Sequence, residues 1–158
     1  MNKILFLDID GVLNKFGRTS DRPYPLSEFD PIMVERLNKI LREAKVTDLC
    51  ISSDWRNTSG LKNIFYEVGI MSPYCSSFSK LEDNLKLMMH NQRRGYEVKY
   101  YLESTYEHKG LRFNYCILDD IDQFLREQKE HLVLTDYRTG LTDEDAEMAI
   151  KILTKDDN

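Results

Sequence analysis

The stretch Lys3-Ile4-Leu5-Phe6-Leu7-Asp8-Ile9-Asp10-Gly11-Val12-Leu13-Asn14 decides how this chain is to be read. Its first half is a short apolar run, which suggests a buried strand. The run stops at an acid, and a second acid follows two residues later. Two carboxylates so spaced, just past a strand, can face one site, and Gly11 lets the chain turn sharply there. Taken alone, the same string also reads as an acidic turn after a strand, so the rest of the chain has to supply the context.

That context is an alternation of strands and helices. Residues 46–52 (VTDLCIS), 114–118 (NYCIL) and 131–136 (HLVLTD) read as three further strands. Asp30-Pro31 offers an N-cap and a proline at the first helical position, followed by Met33, Leu37, Ile40, Leu41 and Ala44 at helical spacing. Helices are predicted over 57–68 with an end at Gly69, around Leu81, Leu85, Met88 and Met89, over 95–104, and briefly near 121–128. Thr142 with Asp143, Glu144 and Asp145 opens the last helix, where acids suit the helix dipole. Residues 14–29 read as an irregular flap and 71–79 as a loop. The expectation is one α/β domain over residues 1–158, a three-layer Rossmann-like arrangement with a mostly parallel sheet. Ligands in such sheets bind beyond the carboxyl ends of the strands. Three of the predicted strands end in functional groups there: Asp8 with Asp10, Ser52 with Ser53, and Asp119 with Asp120.

Composition narrows the class. The 158 residues are 41% apolar and 31% charged, as in an ordinary globular protein. No apolar run approaches the roughly 20 residues of a membrane helix. The N-terminus lacks a signal-peptide pattern, so a cytoplasmic location is the default expectation. Cys50, Cys75 and Cys116 have no CxxC spacing, which points away from a disulfide framework or a zinc site. The formal net charge of −5 speaks against broad non-specific nucleic-acid binding but leaves room for a local basic groove, for which Gln92-Arg93-Arg94 is a candidate.

Asp8-Ile9-Asp10-Gly11-Val12-Leu13-Asn14, Ile51-Ser52-Ser53, and Ile117-Leu118-Asp119-Asp120 resemble, in order, motifs of the haloacid dehalogenase (HAD) superfamily of phosphohydrolases. Arg94-Gly95-x-Glu97 and Gly140-Leu141-Thr142 extend the likeness to small HAD domains grouped with RNA-repair enzymes. The resemblance implies that Asp8 is the nucleophile and Asp10 the general acid and base. It implies that Ser52, with Ser53 as runner-up, binds a phosphoryl oxygen. It implies a Mg2+ site built from Asp8, Asp10, Asp119 and Asp120, with the Asp10 contribution through its backbone carbonyl. A cation is also expected upstream of the acidic pair. Similarity to phage polynucleotide 3′-phosphatase domains favours Lys99, with Arg94 and Lys109 as alternatives. The chain departs from the family pattern in Ile9 and in Asn14, which stands where Thr is more usual.

Arg56 has two readings, a fork of donors for substrate phosphate or a structural ion pair, and Trp55 either stacks on a base or fills the core. Neither interval that could hold a cap domain has room for a large one, so the fold is expected to carry a minimal cap or none. An open site suits a bulky phosphorylated substrate such as a nucleotide or a nucleic-acid 3′ end. The alternative is a HAD-fold protein that holds a phosphorylated nucleotide without turnover. Such a binder would have no use for Asp10.

Overall fold

A computed structural model of the chain describes residues 1–15, 21–72, 75–77, 91–155 and 157. Strand β1 (Asn2–Leu7) is the centre of a five-stranded sheet of order β3-β2-β1-β4-β5, with β2 (Asp48–Ile51), β3 (Cys75–Ser77), β4 (Phe113–Asp119) and β5 (Leu132–Leu134). Every pairing in it is parallel. Among the described residues the α-helices are α1 (Pro31–Glu43), α2 (Leu61–Val68), α3 (Arg93–Thr105) and α4 (Asp143–Thr154).

The middles of β1, β2 and β4 are apolar because both faces of the sheet are covered there, as parallel sheets require. Side chains alternate between two cores. Leu5, Leu7, Leu49, Ile51, Cys116 and Leu118 face one core, shared with Met33, Leu37 and Ile40 of α1, Phe65 of α2 and Ala146, Ala149 and Leu153 of α4. Ile4, Phe6, Cys50 and Ile117 face the other, shared with Val98 and Leu102 of α3, Tyr106 and Phe124. The three layers expected from the alternation of elements are present.

Local chemistry sets the helix ends. The Asp30 carboxylate accepts from the Ile32 amide at 2.9 Å, with Pro31 behind it. Thr142 and Asp145 cap α4 reciprocally, the Asp145 amide donating to the Thr142 hydroxyl at 3.1 Å and the Thr142 amide to the Asp145 carboxylate at 2.9 Å. Gly69 ends α2 in the left-handed region.

Three expectations change. The helix predicted over 57–68 is split into a 3-10 helix (Asp54–Asn57) and the shorter α2, because Gly60 interrupts it at φ +73°. The short helix near 121–128 becomes a 3-10 helix at Arg126–His131. Part of the loop expected over 71–79 is instead the edge strand β3, whose residues Cys75-Ser76-Ser77 carry no alternating apolar pattern and are held by a single ladder to β2. The helix expected around Leu81, Leu85, Met88 and Met89 lies outside the described residues. Between β1 and α1 the described residues hold only a 3-10 helix, Leu26–Glu28. No helix among the described residues is long and apolar enough to cross a membrane.

Leu5 lies on the central strand and is fully buried. Leu5→Ala is expected to cost about 2–5 kcal/mol of stability, measured by urea unfolding. A loss below about 1 kcal/mol, the range of surface changes, would contradict this account of the core.

Candidate active site

The carboxyl ends of β2, β1 and β4 lie side by side because the register pairs Leu7 with both Ile51 and Leu118. The next residues therefore line up across three strands: Ser52, Asp8 and Asp119. The ladder continues into them, with the Ser52 amide donating to the Leu7 carbonyl and the Asp8 amide to the Leu118 carbonyl, both at 2.9 Å.

After Asp8 the chain folds back at once. Leu13 N–H donates to the Ile9 carbonyl at 2.8 Å, and Ile9, Val12 and Leu13 are fully buried, so the loop is anchored from beneath. Gly11 sits at φ +80°, and a Cβ there would fall on the Asp120 side chain. Only glycine lets the loop after β1 approach the acidic pair after β4 so closely.

Asp8, Asp119 and Asp120 offer carboxylate oxygens that all lie within 4.8 Å of one another. One guanidinium reaches them. Arg94 Nη1 lies 2.6 Å from Asp119 Oδ2 and 3.0 Å from Asp8 Oδ1. Asp119 is fully buried, and its second oxygen accepts from the Ile121 amide at 2.9 Å. Three acids face one cation here. Burial, followed by the neighbouring Asp119, pushes the Asp8 carboxyl up to about 7 despite Arg94. Burial likewise raises Asp119, with Arg94 opposing, whereas Arg94 is raised by the charges of Asp119 and Asp8, which outweigh its burial.

This donor set suits a divalent cation. It is all hard oxygen, as Mg2+ prefers, and two positive charges would offset the two uncompensated acids. Asp8 and Asp120 are the carboxylates best able to hold the ion. Asp119 has both oxygens engaged, and Asp120, half-buried, has no ion-pair partner among the described residues.

Of the three candidate cations, Arg94 is the one that lies against these acids. Lys99 is half exposed and its nearest acid is Glu103 at 3.9 Å, and Lys109 sits exposed in a 3-10 helix at the other end of α3. Arg94 and Lys99 stand five positions apart on α3, so their side chains diverge by about 140° around the axis. Arg94, Glu97 and Tyr101 share one flank. They meet Asp8, Arg56 and Asp48 respectively.

Two further contacts dock this flank. Gly95 packs so tightly on the 124–128 segment that a Cβ would collide with the Leu125 backbone, and Gln128 Nε2 donates to the Gly95 carbonyl at 2.8 Å. On the other side the buried Glu97 carboxylate accepts from both terminal nitrogens of Arg56, at 3.0 and 3.2 Å, and from Arg93 at 3.2 Å. Of the two readings of Arg56, the geometry places it in this structural ion pair.

The serines divide the work. The Ser53 hydroxyl accepts from the Trp55 amide at 3.0 Å and so caps the 3-10 helix that follows β2. The Ser52 hydroxyl is buried and has no hydrogen-bond partner among the described residues. Buried hydroxyls are almost always paired, and a ligand oxygen would satisfy this one.

Residues 4–146 match the family model described as the HAD domain in Swiss Army Knife RNA repair proteins. The chain belongs to this family. It is thus a HAD domain, of the hydrolase and phosphatase superfamily, and its sheet is the Rossmann-like sheet of that fold. No match was found among curated proteins or among solved structures.

Two residues of this HAD domain carry more than the sequence suggested. Trp55 fills the core, packed edge-on to Phe29 with ring centroids 5.3 Å apart, yet its indole N–H donates to Asp10 Oδ2 at 3.2 Å. Asn14 Nδ2 donates to Asp10 Oδ1 at 2.9 Å. The only hint in the sequence is the Asn at position 14 itself.

The raised Asp8 carboxyl gives a pH signature. Its ordinary value is 3.8 and its folded value about 7. The metal-free folded protein therefore holds a proton that the unfolded chain loses between these values. The resulting loss of stability is absent below pH 4, grows as pH rises, and is complete above pH 7. A cation that needs the carboxylate relieves it. The rise in Tm on adding Mg2+ is expected to be larger at pH 8 than at pH 5.5. A pH-independent rise would contradict a site built on Asp8.

Proposed function

We propose that this HAD domain, with the whole chain as one unit, is a magnesium-dependent phosphomonoesterase that works through an aspartyl-phosphate. Its proposed substrate is a nucleotide or a nucleic-acid 3′-phosphate. The observation that carries the reading is the convergence of Asp8, Arg94, Asp119 and Asp120 at one sheet edge, with the exposed Asp10 two residues beyond Asp8 in the chain.

In the first step an Asp8 oxygen attacks phosphorus. The bond to the leaving oxygen breaks, and that oxygen takes the proton of Asp10. In the second step Asp10, now ionised, takes a proton from water. The water oxygen attacks the acyl phosphate, the phosphorus–oxygen bond to Asp8 breaks, and phosphate leaves. Bound Mg2+, held by Asp8 and Asp120 with the Asp10 backbone carbonyl, would offset the repulsion between the nucleophile and an anionic phosphate. Arg94 neutralises charge on Asp8 and on the transferring group, and the Ser52 hydroxyl donates to a phosphoryl oxygen. Asp119 orients Arg94.

The RNA-repair setting of the family supports a nucleic-acid end as substrate. So does the exposure of the Asp10 carboxyl.

Phosphate release, with and without Mg2+, is the test. The substrates are an aryl phosphate, mononucleotides and 3′-phosphorylated DNA and RNA oligomers. Release should require Mg2+ and vanish in Asp8→Asn. Arg94→Ala should lower the rate about a hundredfold or more, while Lys99→Ala leaves it unchanged. Tight nucleotide binding without release from any substrate would replace this reading with that of a non-hydrolysing binder. A near-normal rate in Asp8→Asn would remove Asp8 as nucleophile.

A further inference from the structure

Asp10 is exposed and has no ion-pair partner among the described residues, yet each of its oxygens has a donor of its own. Asn14 Nδ2 holds Oδ1 at 2.9 Å, and Trp55 Nε1 holds Oδ2 at 3.2 Å. An exposed carboxyl with no such contacts would sample several rotamers. Two donors from different elements select one.

The donors are themselves held. Asn14 Oδ1 accepts from the Gly11 amide at 2.9 Å, and Asn14 Nδ2 also donates to the Glu28 carbonyl at 3.0 Å, tying the loop after β1 to the segment before α1. Trp55 is capped at its amide by Ser53, and its ring is wedged edge-on against Phe29, which in turn meets Phe65 at 6.0 Å. The indole nitrogen is therefore delivered to Asp10 from a rigid core. Both donors are neutral, so they orient the carboxyl without adding charge to a site whose balance Arg94 already sets.

Resting on the phosphatase reading above, we infer that Trp55 and Asn14 are positioning residues that aim Asp10 at the leaving oxygen, and that this clamp fits the enzyme to poor, alkoxide-type leaving groups. A sugar alkoxide cannot depart readily without a proton, whereas a nitrophenolate can. Proton donation by a placed acid is worth about 10²–10⁴-fold in rate, and small misplacements forfeit much of that. In the first step, loss of aim should therefore fall on sugar phosphates and spare aryl phosphates in proportion.

The test uses Trp55→Phe, which keeps an aromatic ring in the core and removes the N–H. Its companion is Asn14→Ser, which keeps a hydroxyl near the Gly11 amide but is too short to reach Asp10. Both are compared with wild type, with Mg2+, on p-nitrophenyl phosphate and on a nucleoside 3′-monophosphate, with kcat and KM measured separately. In each variant the ratio of kcat/KM on the nucleotide to kcat/KM on the aryl phosphate, which reports the steps up to departure of the leaving group, should fall about tenfold or more. Equal losses of kcat/KM on both substrates would reduce the two residues to packing and overturn the inference, as would no loss at all. If Asn14→Ser lowers Tm strongly, Trp55→Phe alone decides. Wild-type protein that hydrolyses neither substrate would refute the underlying phosphatase reading and take the inference with it. Wild-type turnover with unchanged ratios in both variants refutes the inference alone.

Discussion

The guanidinium of Arg94 is the interaction on which the site depends. Parallel pairing brings the acids that follow β1 and β4 to one edge of the sheet, and their mutual repulsion in a buried setting opposes the fold that gathers them. Arg94 bridges the two deepest of these acids from the first turn of α3. The position of that turn is in turn set by Gly95 against the 124–128 segment and by Glu97 against Arg56 and Arg93. Removing one partner of a buried charge pair leaves the other uncompensated, which is why such networks are sensitive to single changes.

The site is built in two tiers. Below, Asp8, Asp119 and Arg94 are deeply placed and bear most of the charge. Above, Asp10 is open to solvent and held only by neutral donors. In the proposed reaction the first tier would take a metal ion and a phosphoryl group, and the second would transfer the proton to and from whatever leaves or attacks. Gly11 joins the tiers, since its missing side chain lets the acid-bearing loop close over Asp120.

Much of this was legible in the sequence. The run Lys3–Asp8 announces a buried strand by composition alone, and the DxDG string marks its end as chemical. Asp30-Pro31 and Thr142 with Asp145 are helix starts whose signals are local, and local signals survive folding. The edge strand β3 was not legible, because Cys75-Ser76-Ser77 has no apolar alternation and exists as a strand only through the ladder offered by β2. Resemblance pointed to Lys99 over Arg94, whereas the rotation of α3 against the sheet puts Arg94 against Asp8 and Lys99 beside Glu103.

The sequence by itself determined the fold class and the order of the acidic motifs, because strand composition and capping residues act over a few neighbours, and the likeness of those motifs to the HAD pattern supplied the expectation of phosphoryl chemistry. Only the tertiary structure decided which cation meets Asp8, that Arg56 serves Glu97, and that Trp55 reaches from the core to Asp10. Those pairings join residues about 40 to 90 positions apart. Nothing in the chain near either partner records the helix rotation or strand register that brings them together.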